Sequence, residues 1–379
     1  MKIIGIICEY NPFHLGHQKQ IDRIRSVFGP GCGIVCLMSG NFVQRGMPAI
    51  FQKSLRAKAA VLCGADLMLE LPVQNTLSSA EGFAAGGVKI LSGFCDALCF
   101  GTETGSQDAL LATAEALLAP DFPEALSREL EKGLSFPAAR QAALGDGGQL
   151  LRSPNDILAV EYCKAILSQG STMEPFPILR KGGYHDDIPD PENPSATAVR
   201  KLLLQGHDWK SCVPAPAAEI FEDAPLHSIN AGERAILARL RTMTDEEFEA
   251  LPYGNEGLWR KFMHACRSQA SLGEIIAATK SKRYTRTRID RMIMCAFLGL
   301  TAEDLASPVP YTRVLALNEK GRAIVKKARL SGEFPHVGEA MEDPQWALEQ
   351  RCTDLYDLFR TDSPTPAGTE SKERVFVLK

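Results

Sequence analysis

The chain has 379 residues, 45% of them hydrophobic and 23% charged, with a formal net charge of −4. A chain of this length builds its own cores, about two domains' worth, and needs no disulfide or metal staple. Its slightly acidic balance excludes nucleic-acid binding through bulk charge and leaves that role to a local basic patch.

The first apolar run, Ile3 to Cys8, is too short for a secretory signal, and Glu9 ends it. No run reaches the roughly 20 apolar residues of a membrane span. A cytoplasmic protein with no membrane partner is expected. The chain has eleven cysteines. They fall mostly in apolar runs, as Cys8, Cys36, Cys63 and Cys99 do, and Cys32/Cys36 and Cys95/Cys99 are spaced wider than a metal-binding C-x2-C. Buried reduced thiols are expected, and no structural metal.

In chain order, Ile3 to Cys8 is a continuous apolar run and reads as a fully buried parallel strand. After the turn Glu9 to Phe13, helical periodicity runs from Leu15 to Val27. A strand follows at Gly33 to Met38, then a helix from about Phe51 to Cys63, a strand at Ala65 to Glu70, a helix at Ser79 to Ser92 and a strand at Ala97 to Phe100. Leu110 to Gln141 reads as helical. Ser153 to Ile166 is a further helix, Pro175 to Leu179 a short strand, and Asn193-Pro194-Ser195-Ala196-Thr197 opens a helix through Leu204. Val213 to Ala218, rich in Pro and Ala, reads as a linker. Beyond it the pattern is helical to about Arg360. The tail is polar and expected to be mobile, with Val375 to Leu378 able to add an edge strand.

Alternating strands and helices predict an α/β fold, a doubly wound parallel sheet, with a mostly helical C-terminal domain. The expected division is a catalytic domain over 1–212, a helical domain over 219–360 and a tail over 361–379. Ligands of such sheets sit beyond the carboxyl ends of the strands. That singles out the loops Glu9 to His17, Ser39 to Arg45 and Gly101 to Gly105.

His14-Leu15-Gly16-His17 lies where the first strand meets the first helix. A helix N-terminus offers unpaired N–H groups and partial positive charge to a phosphate. Histidines three apart share one face of that turn. They can donate to an α-phosphate and to departing pyrophosphate as charge builds there. Gly16 lets a nucleotide approach the backbone.

The wider run Cys8-Glu9-Tyr10-Asn11-Pro12-Phe13-His14-Leu15-Gly16-His17 resembles the HIGH-type nucleotidyltransferases, a Rossmann-like group. With Ser39 to Gly46, Gly64 to Leu67, Leu69 to Pro72, Phe100 to Glu103, Ser153 to Asn155, Gly183 to Asp186, Ser195 to Arg200 and Tyr311 to Leu315, it resembles the bacterial tRNA(Met) cytidine acetate ligases over roughly residues 1 to 330. The resemblance implies that ATP activates acetate to acetyl-adenylate with loss of pyrophosphate. The acetyl group then passes to N4 of the wobble cytidine of elongator tRNA(Met). It implies catalytic roles for His14 and His17. It also implies an ATP site of Ile7, Cys8, Glu9, Tyr10, Asn11, Pro12, Phe13, His14, Leu15, Gly16, His17, Gln18, Lys19 and Gln20, with Gly101, Asn155 and Arg180. The segment Arg180-Lys181-Gly182-Gly183-Tyr184 is one residue shorter than the family spacing, so Lys181 competes with Arg180. ATP is expected as its magnesium complex, with no dedicated metal ligands visible.

Four further groups have physical readings. Asn155, at a helix start, is suited to a ribose or adenine contact, or to capping. Ser195, Thr197 and Arg200 open a helix and resemble the second phosphate-binding segment of the superfamily, with a capped surface helix as the alternative. Asp66, Glu70 and the run His185-Asp186-Asp187 hold metal-capable groups, with structural hydrogen bonding as the alternative. Lys280 to Arg291 is the one dense basic run, with Tyr284 inside it, and supplies Lys282, Arg283, Arg286 and Arg288 as candidate tRNA contacts. A second basic run, Lys320 to Arg329, has a weaker claim. Two other functions fit parts of the pattern. An adenylyltransferase making a small dinucleotide-type cofactor would need no basic C-terminal half. A non-catalytic RNA-binding protein on a nucleotide fold would not need His14, Gly16 and His17 intact.

Overall fold

Four runs in the first half, Ile-Ile-Gly-Ile-Ile-Cys and its successors, carry apolar residues on both faces, so each strand must be covered above and below. The structure, a computed structural model, describes residues 1–103, 105–179, 194–308, 312–331 and 344–379. Its strands are β1 (Ile3–Cys8), β2 (Gly33–Ser39), β3 (Phe42–Val43), β4 (Met47–Pro48), β5 (Leu67–Leu71), β6 (Ala97–Thr102), β7 (Glu174–Leu179), β8 (Arg313–Leu317) and β9 (Phe376–Val377). Seven form one sheet in the order β7-β6-β1-β2-β5-β8-β9, while β3 and β4 make a separate small hairpin. The pairs β1–β2, β1–β6, β2–β5 and β6–β7 are all parallel. The chain builds outward from β1 to β2 and β5, then crosses back to lay β6 and β7 on the other side. The direction therefore reverses at β1, and the crevice over its carboxyl end is the natural ligand position.

Side-chain alternation sends Val35, Leu37, Leu67 and Leu69 to one face, against the helices Ala80–Leu91 and Pro154–Ser168. It sends Ile4, Ile6, Ile34 and Cys36 to the other, against Leu15–Phe28 and Lys53–Leu62. A third core is helical, built by Glu233–Thr242, Leu258–Ser268, Leu272–Thr279, Arg286–Leu298 and Pro344–Tyr356. It also takes in Phe42, Val73 and Leu77 from the sheet half. All eleven cysteines are free thiols, ten of them buried.

Four expectations are corrected. Leu110 to Gln141 is three helices, Gln107–Leu118, Phe122–Glu131 and Phe136–Ala143, because Pro123 and Pro137 each start a new one. The expected linker Val213 to Ala218 is the start of helix Ala215–Phe221, which is docked through buried Ala217 and Phe221, with Phe221 stacked on Phe51 at 4.4 Å between ring centroids. Proline at a helix's first turn and alanine at a close contact read in sequence like a linker. The stretch after residue 219 is not helical throughout, since β8 pairs antiparallel with β5 (Glu70↔Arg313, Leu67↔Leu317). A five-residue apolar run does not distinguish strand from helix by period alone. The tail, expected to be mobile, is docked. Glu370 is 1% exposed, and β9 lies parallel to β8 at the sheet edge. Arg180, Lys181, His185, Asp186, Asp187, Asn193 and Tyr311 lie outside the described residues.

Candidate active site at the carboxyl ends of the parallel strands

His14 is the N-cap of helix Leu15–Phe28. Its Nδ1 accepts the Gly16 N–H at 3.0 Å, and Nδ1 of His17 accepts the His14 N–H at 3.2 Å. The two rings stack 3.7 Å apart, and the Tyr10 ring meets His17 edge-on at 4.8 Å. A ring nitrogen that accepts an N–H carries no proton, so each neutral imidazole holds its proton on Nε2. The helix cap therefore fixes the tautomer as well as the orientation of both rings.

The loop before them is held from several sides. Tyr10 is buried with φ 44°, a strained value for a tyrosine, and the Asn11–Pro12 peptide is cis. Asn11 Oδ1 accepts the Ile50 N–H at 2.7 Å. Arg200 donates from Nη1 to the Asn11 carbonyl at 2.7 Å and from Nη2 to Thr197 Oγ1 at 3.1 Å. Arg200 belongs to helix Ala196–Gln205, whose N-cap Ser195 accepts the Ala198 N–H. The start of that helix lies against Gly16: a Cβ on Gly16 would stand 3.8 Å from the Pro194 carbonyl oxygen and 2.8 Å from His14 Cε1. Two helix N-termini thus converge beside the histidine pair, a concentration of partial positive charge suited to a polyphosphate.

Within Ile7 to Gln20 the roles divide. Phe13, Tyr10 and Asn11 are buried and shape the loop. Cys8 Sγ donates to the Leu37 carbonyl, and burial raises its thiol well above the ordinary range. Gln18 donates to Asp22, and Gln20 to Cys99 Sγ. Lys19 is exposed, Ile7 and Leu15 are half-buried, and Pro12 is buried. Across β1, Gly101 lies in β6, opposite Ile178 of β7. Ser153, not Asn155, caps helix Pro154–Ser168. Asn155 Nδ2 donates to Glu103 Oε1 at 2.6 Å, while buried Asp156 accepts the Thr102 hydroxyl and the Glu103 N–H. That places Asn155 beside the end of β6, in the same crevice as Gly101.

Beneath the crevice is a residue that pattern reading passed over. Arg56 is fully buried, and its guanidinium donates to the carbonyls of Phe51, Glu9, Ser39 and Gly40. It ties the ends of β1 and β2 to the start of helix Lys53–Leu62, and burial pulls its pKa below the usual arginine value. The sequence signal was a charged residue at an apolar position of an alanine-rich helix. Beside it, Lys53 Nζ lies 2.6 Å from both Glu70 and Glu370, and Arg313 bonds Glu370 as well. Glu349, next to this cluster, is raised to about 7 by burial and by the Glu70 charge. Asp66 accepts from Arg25, Asn318 and the Ile34 N–H at the opposite, amino end of the strands. Asp66 and Glu70 are therefore structural.

The basic run is a loop followed by helix Arg286–Leu298. Lys282 and Arg283 are exposed, with Arg283 3.0 Å from Glu256. Arg286 pairs with Asp290 at 2.8 Å, and Arg288 donates to the Tyr253 carbonyl and lies over the Tyr284 ring. Gly46, at the turn of the β3–β4 hairpin, touches the backbone of Asp290 and Arg291, with no room for a Cβ. The Gln44-Arg45-Gly46 turn and the basic segment are thus neighbours. The second basic run, in helix Glu319–Ser331, packs Ile324 against Gly33 at the amino ends of the strands, away from the crevice.

A model of the HIGH Nucleotidyl Transferase family matches residues 1–371. The chain is 36% identical to the tRNA(Met) cytidine acetate ligase of Clostridium novyi (strain NT), over 88% of this chain and 89% of that protein. It is 32% identical to the tRNA(Met) cytidine acetate ligase of Acetivibrio thermocellus, over 100% of both. The crystal structure of Thermotoga maritima TmcAL bound with alpha-thio ATP is similar over 100% of both chains, with a TM-score of 0.89 and 29% identity.

Proposed function

This chain belongs to the HIGH nucleotidyl transferases and, within them, to the tRNA(Met) cytidine acetate ligases, and from that premise we propose how its residues divide the reaction. The protein is an ATP-dependent ligase that acetylates a cytidine of tRNA(Met). The acceptor we assign is N4 of the wobble cytidine of the elongator species.

In the first step an acetate oxygen attacks the α-phosphorus of ATP. The bond to the bridging oxygen breaks, pyrophosphate leaves with the electron pair, and acetyl-adenylate remains. His14 and His17 donate from Nε2 to the α-phosphate and the bridging oxygen as negative charge grows there. The two helix N-termini at Gly16 and Ser195 hold the β- and γ-phosphates, with Arg200 and Thr197 at the rim. Gly101 and Asn155 are assigned to the nucleoside, and Arg180, which lies outside the described residues, is assigned to the phosphates by the family resemblance. In the second step N4 attacks the acetyl carbon, AMP leaves, and N4 gives up its proton. Magnesium enters with the ATP phosphates. Among the described residues no group of three His, Cys, Asp or Glu is placed to hold a metal. Lys282, Arg283, Arg286 and Arg288 contact the tRNA backbone. No helix among the described residues is long and apolar enough to cross a membrane, and we place the enzyme in the cytoplasm with its tRNA substrate.

The observation that carries this reading is the histidine pair, fixed through both Nδ1 atoms at the meeting of two helix N-termini. The test is pyrophosphate release from ATP with and without acetate, followed by nucleoside analysis of the tRNA for N4-acetylcytidine. Release should require acetate, and His17→Ala should slow it by roughly 10²–10³. Release independent of acetate refutes the assignment.

A further inference from the structure

The acyl-transfer step leaves one proton to be placed. N4 of the cytidine sheds it as the new carbon–nitrogen bond forms, and the histidine pair does not take it, because both rings donate from Nε2. A carboxylate stands at the end of the strand that leads into that pair. Glu9 is the first residue after β1, and it is half-buried.

Alternation fixes the side to which it turns. Ile7 packs with the core under helix Ala80–Leu91 and Cys8 with the core under Leu15–Phe28, so Glu9 turns to the first of these. Tyr162 belongs to that same core, and its hydroxyl pKa is pushed up by burial and then by the Glu9 charge. The histidines lie on the other side of the strand's end, at the start of Leu15–Phe28. Glu9 Oε1 accepts the Gln44 N–H at 2.9 Å, and among the described residues no donor meets Oε2. The Arg56 guanidinium bonds the Glu9 carbonyl, not its carboxylate. The carboxylate is thus oriented through one oxygen and has the other available as an acceptor.

The hairpin that holds Oε1 also reaches the basic segment. Gln44 is followed two residues later by Gly46, whose turn (φ 75°) rests so closely on Asp290 and Arg291 that a Cβ would stand 2.5 Å from their backbone. Two residues of chain span only about 7 Å, so the carboxylate stands within roughly 15 Å of the helix that carries Arg286 and Arg288. Glu9 therefore lies between the nucleotide loop and the surface assigned to tRNA. RNA loops present bases that are splayed out and read along their Watson–Crick edge. On cytosine that edge carries the N4 amine, a donor for which glutamate is the matching acceptor.

We propose that Glu9 receives the cytidine N4 amine and takes its proton in the transfer step, a role that rests on the ligase reading above. Oε1 stays on the Gln44 N–H while Oε2 accepts from N4. The N4 lone pair forms the bond to the acetyl carbon. The bond from that carbon to the adenylate oxygen breaks, AMP leaves with the electron pair, and the N4 proton ends on Oε2. The same contact selects cytidine over uridine, whose O4 would set a lone pair against the carboxylate.

The assay supplies acetyl-adenylate and tRNA(Met) to the full-length protein and follows N4-acetylcytidine, which isolates the second step. Acetate-dependent pyrophosphate release from ATP reports the first. Glu9→Gln keeps an oxygen for the Gln44 N–H and replaces Oε2 by an amide donor. It should slow transfer by roughly 10²–10⁴, the range for a positioned general base, and slow pyrophosphate release by less than about tenfold. Its melting temperature should match wild type. Glu9→Asp, with a shortened carboxylate, should recover part of the transfer rate. An unchanged transfer rate in Glu9→Gln overturns the proposal. Equal losses in the two steps make Glu9 a structural part of the nucleotide loop and overturn it too. Wild-type protein that acetylates tRNA from acetyl-adenylate leaves the ligase reading standing in either case, and wild-type protein that does not removes both.

Discussion

Gly16→Ala should cost both rate and stability. The added Cβ would sit 2.8 Å from His14 Cε1 and 3.0 Å from its Nδ1, where ordinary contact begins at 3.4 Å, so the ring must retreat by 0.6 Å (3.4 − 2.8). It has no independent room: His14 is 3% exposed and stacked 3.7 Å from His17, so the pair moves together and both Nε2 donors leave their positions. A misplacement near 1 Å costs a reaction on the order of 10² in rate. The expected fall in kcat is therefore roughly 30- to 100-fold. Stability should fall as well, because the displaced ring gives up the cap bond from the Gly16 N–H and a buried contact is overpacked, together about 1–3 kcal/mol, only partly offset by the helix preference of alanine over glycine of up to about 1 kcal/mol. Pyrophosphate release at saturating substrates gives the rate, and urea unfolding gives the stability. A variant with wild-type kcat would show that the ring positions are not what the cap protects.

Arg56→Met should lower stability by about 3 kcal/mol or more, because it leaves four buried carbonyls without a donor; a urea midpoint matching wild type would refute the clamp. Charge reversal at Lys282 should weaken tRNA binding and reduce the log–log salt slope by about 1 for the phosphate no longer neutralised. The same change at Arg283, paired with Glu256, or at Arg286, paired with Asp290, should do less, and equal effects would contradict the assigned pairings. Acid should destabilise the fold through His227, buried and stacked on Tyr356, whose pKa burial lowers to about 4. Between pH 6.5 and 4 the unfolded chain binds a proton there that the folded chain refuses, so stability is lost as pH falls through that window. The full loss is about 3 kcal/mol, from roughly 1.4 per unit over the shift. His227→Gln should flatten that part of the pH–stability curve measured by urea midpoints.

The strand–loop–helix at residues 3 to 28 was legible because its cues are local. A β-branched run, a turn and a periodic helix follow one another without interruption, and His14-Leu15-Gly16-His17 sits at the junction. What stayed hidden depends on partners far along the chain. Lys53 and Arg56 look like surface charges until their acceptors are found, one of which, Glu370, is 317 residues from Lys53. The place of β8 beside β5 follows from an edge left open by the five parallel strands, not from anything in Arg-Val-Leu-Ala-Leu itself. The buried Ser39 Oγ, without a hydrogen-bond partner among the described residues, has no sequence signature either, because its surroundings exist only once the sheet has formed.

The docked tail orders events during synthesis. Lys53 and Glu70 emerge from the ribosome early and can pair at once, but the carboxylate of Glu370, which completes their cluster with Arg313, is translated 317 residues after Lys53. The floor under Gly40 therefore closes only after nearly the whole chain, including the basic helical segment, has been made. A nascent chain that has already formed its histidine pair still lacks the last anchor of the crevice beside it.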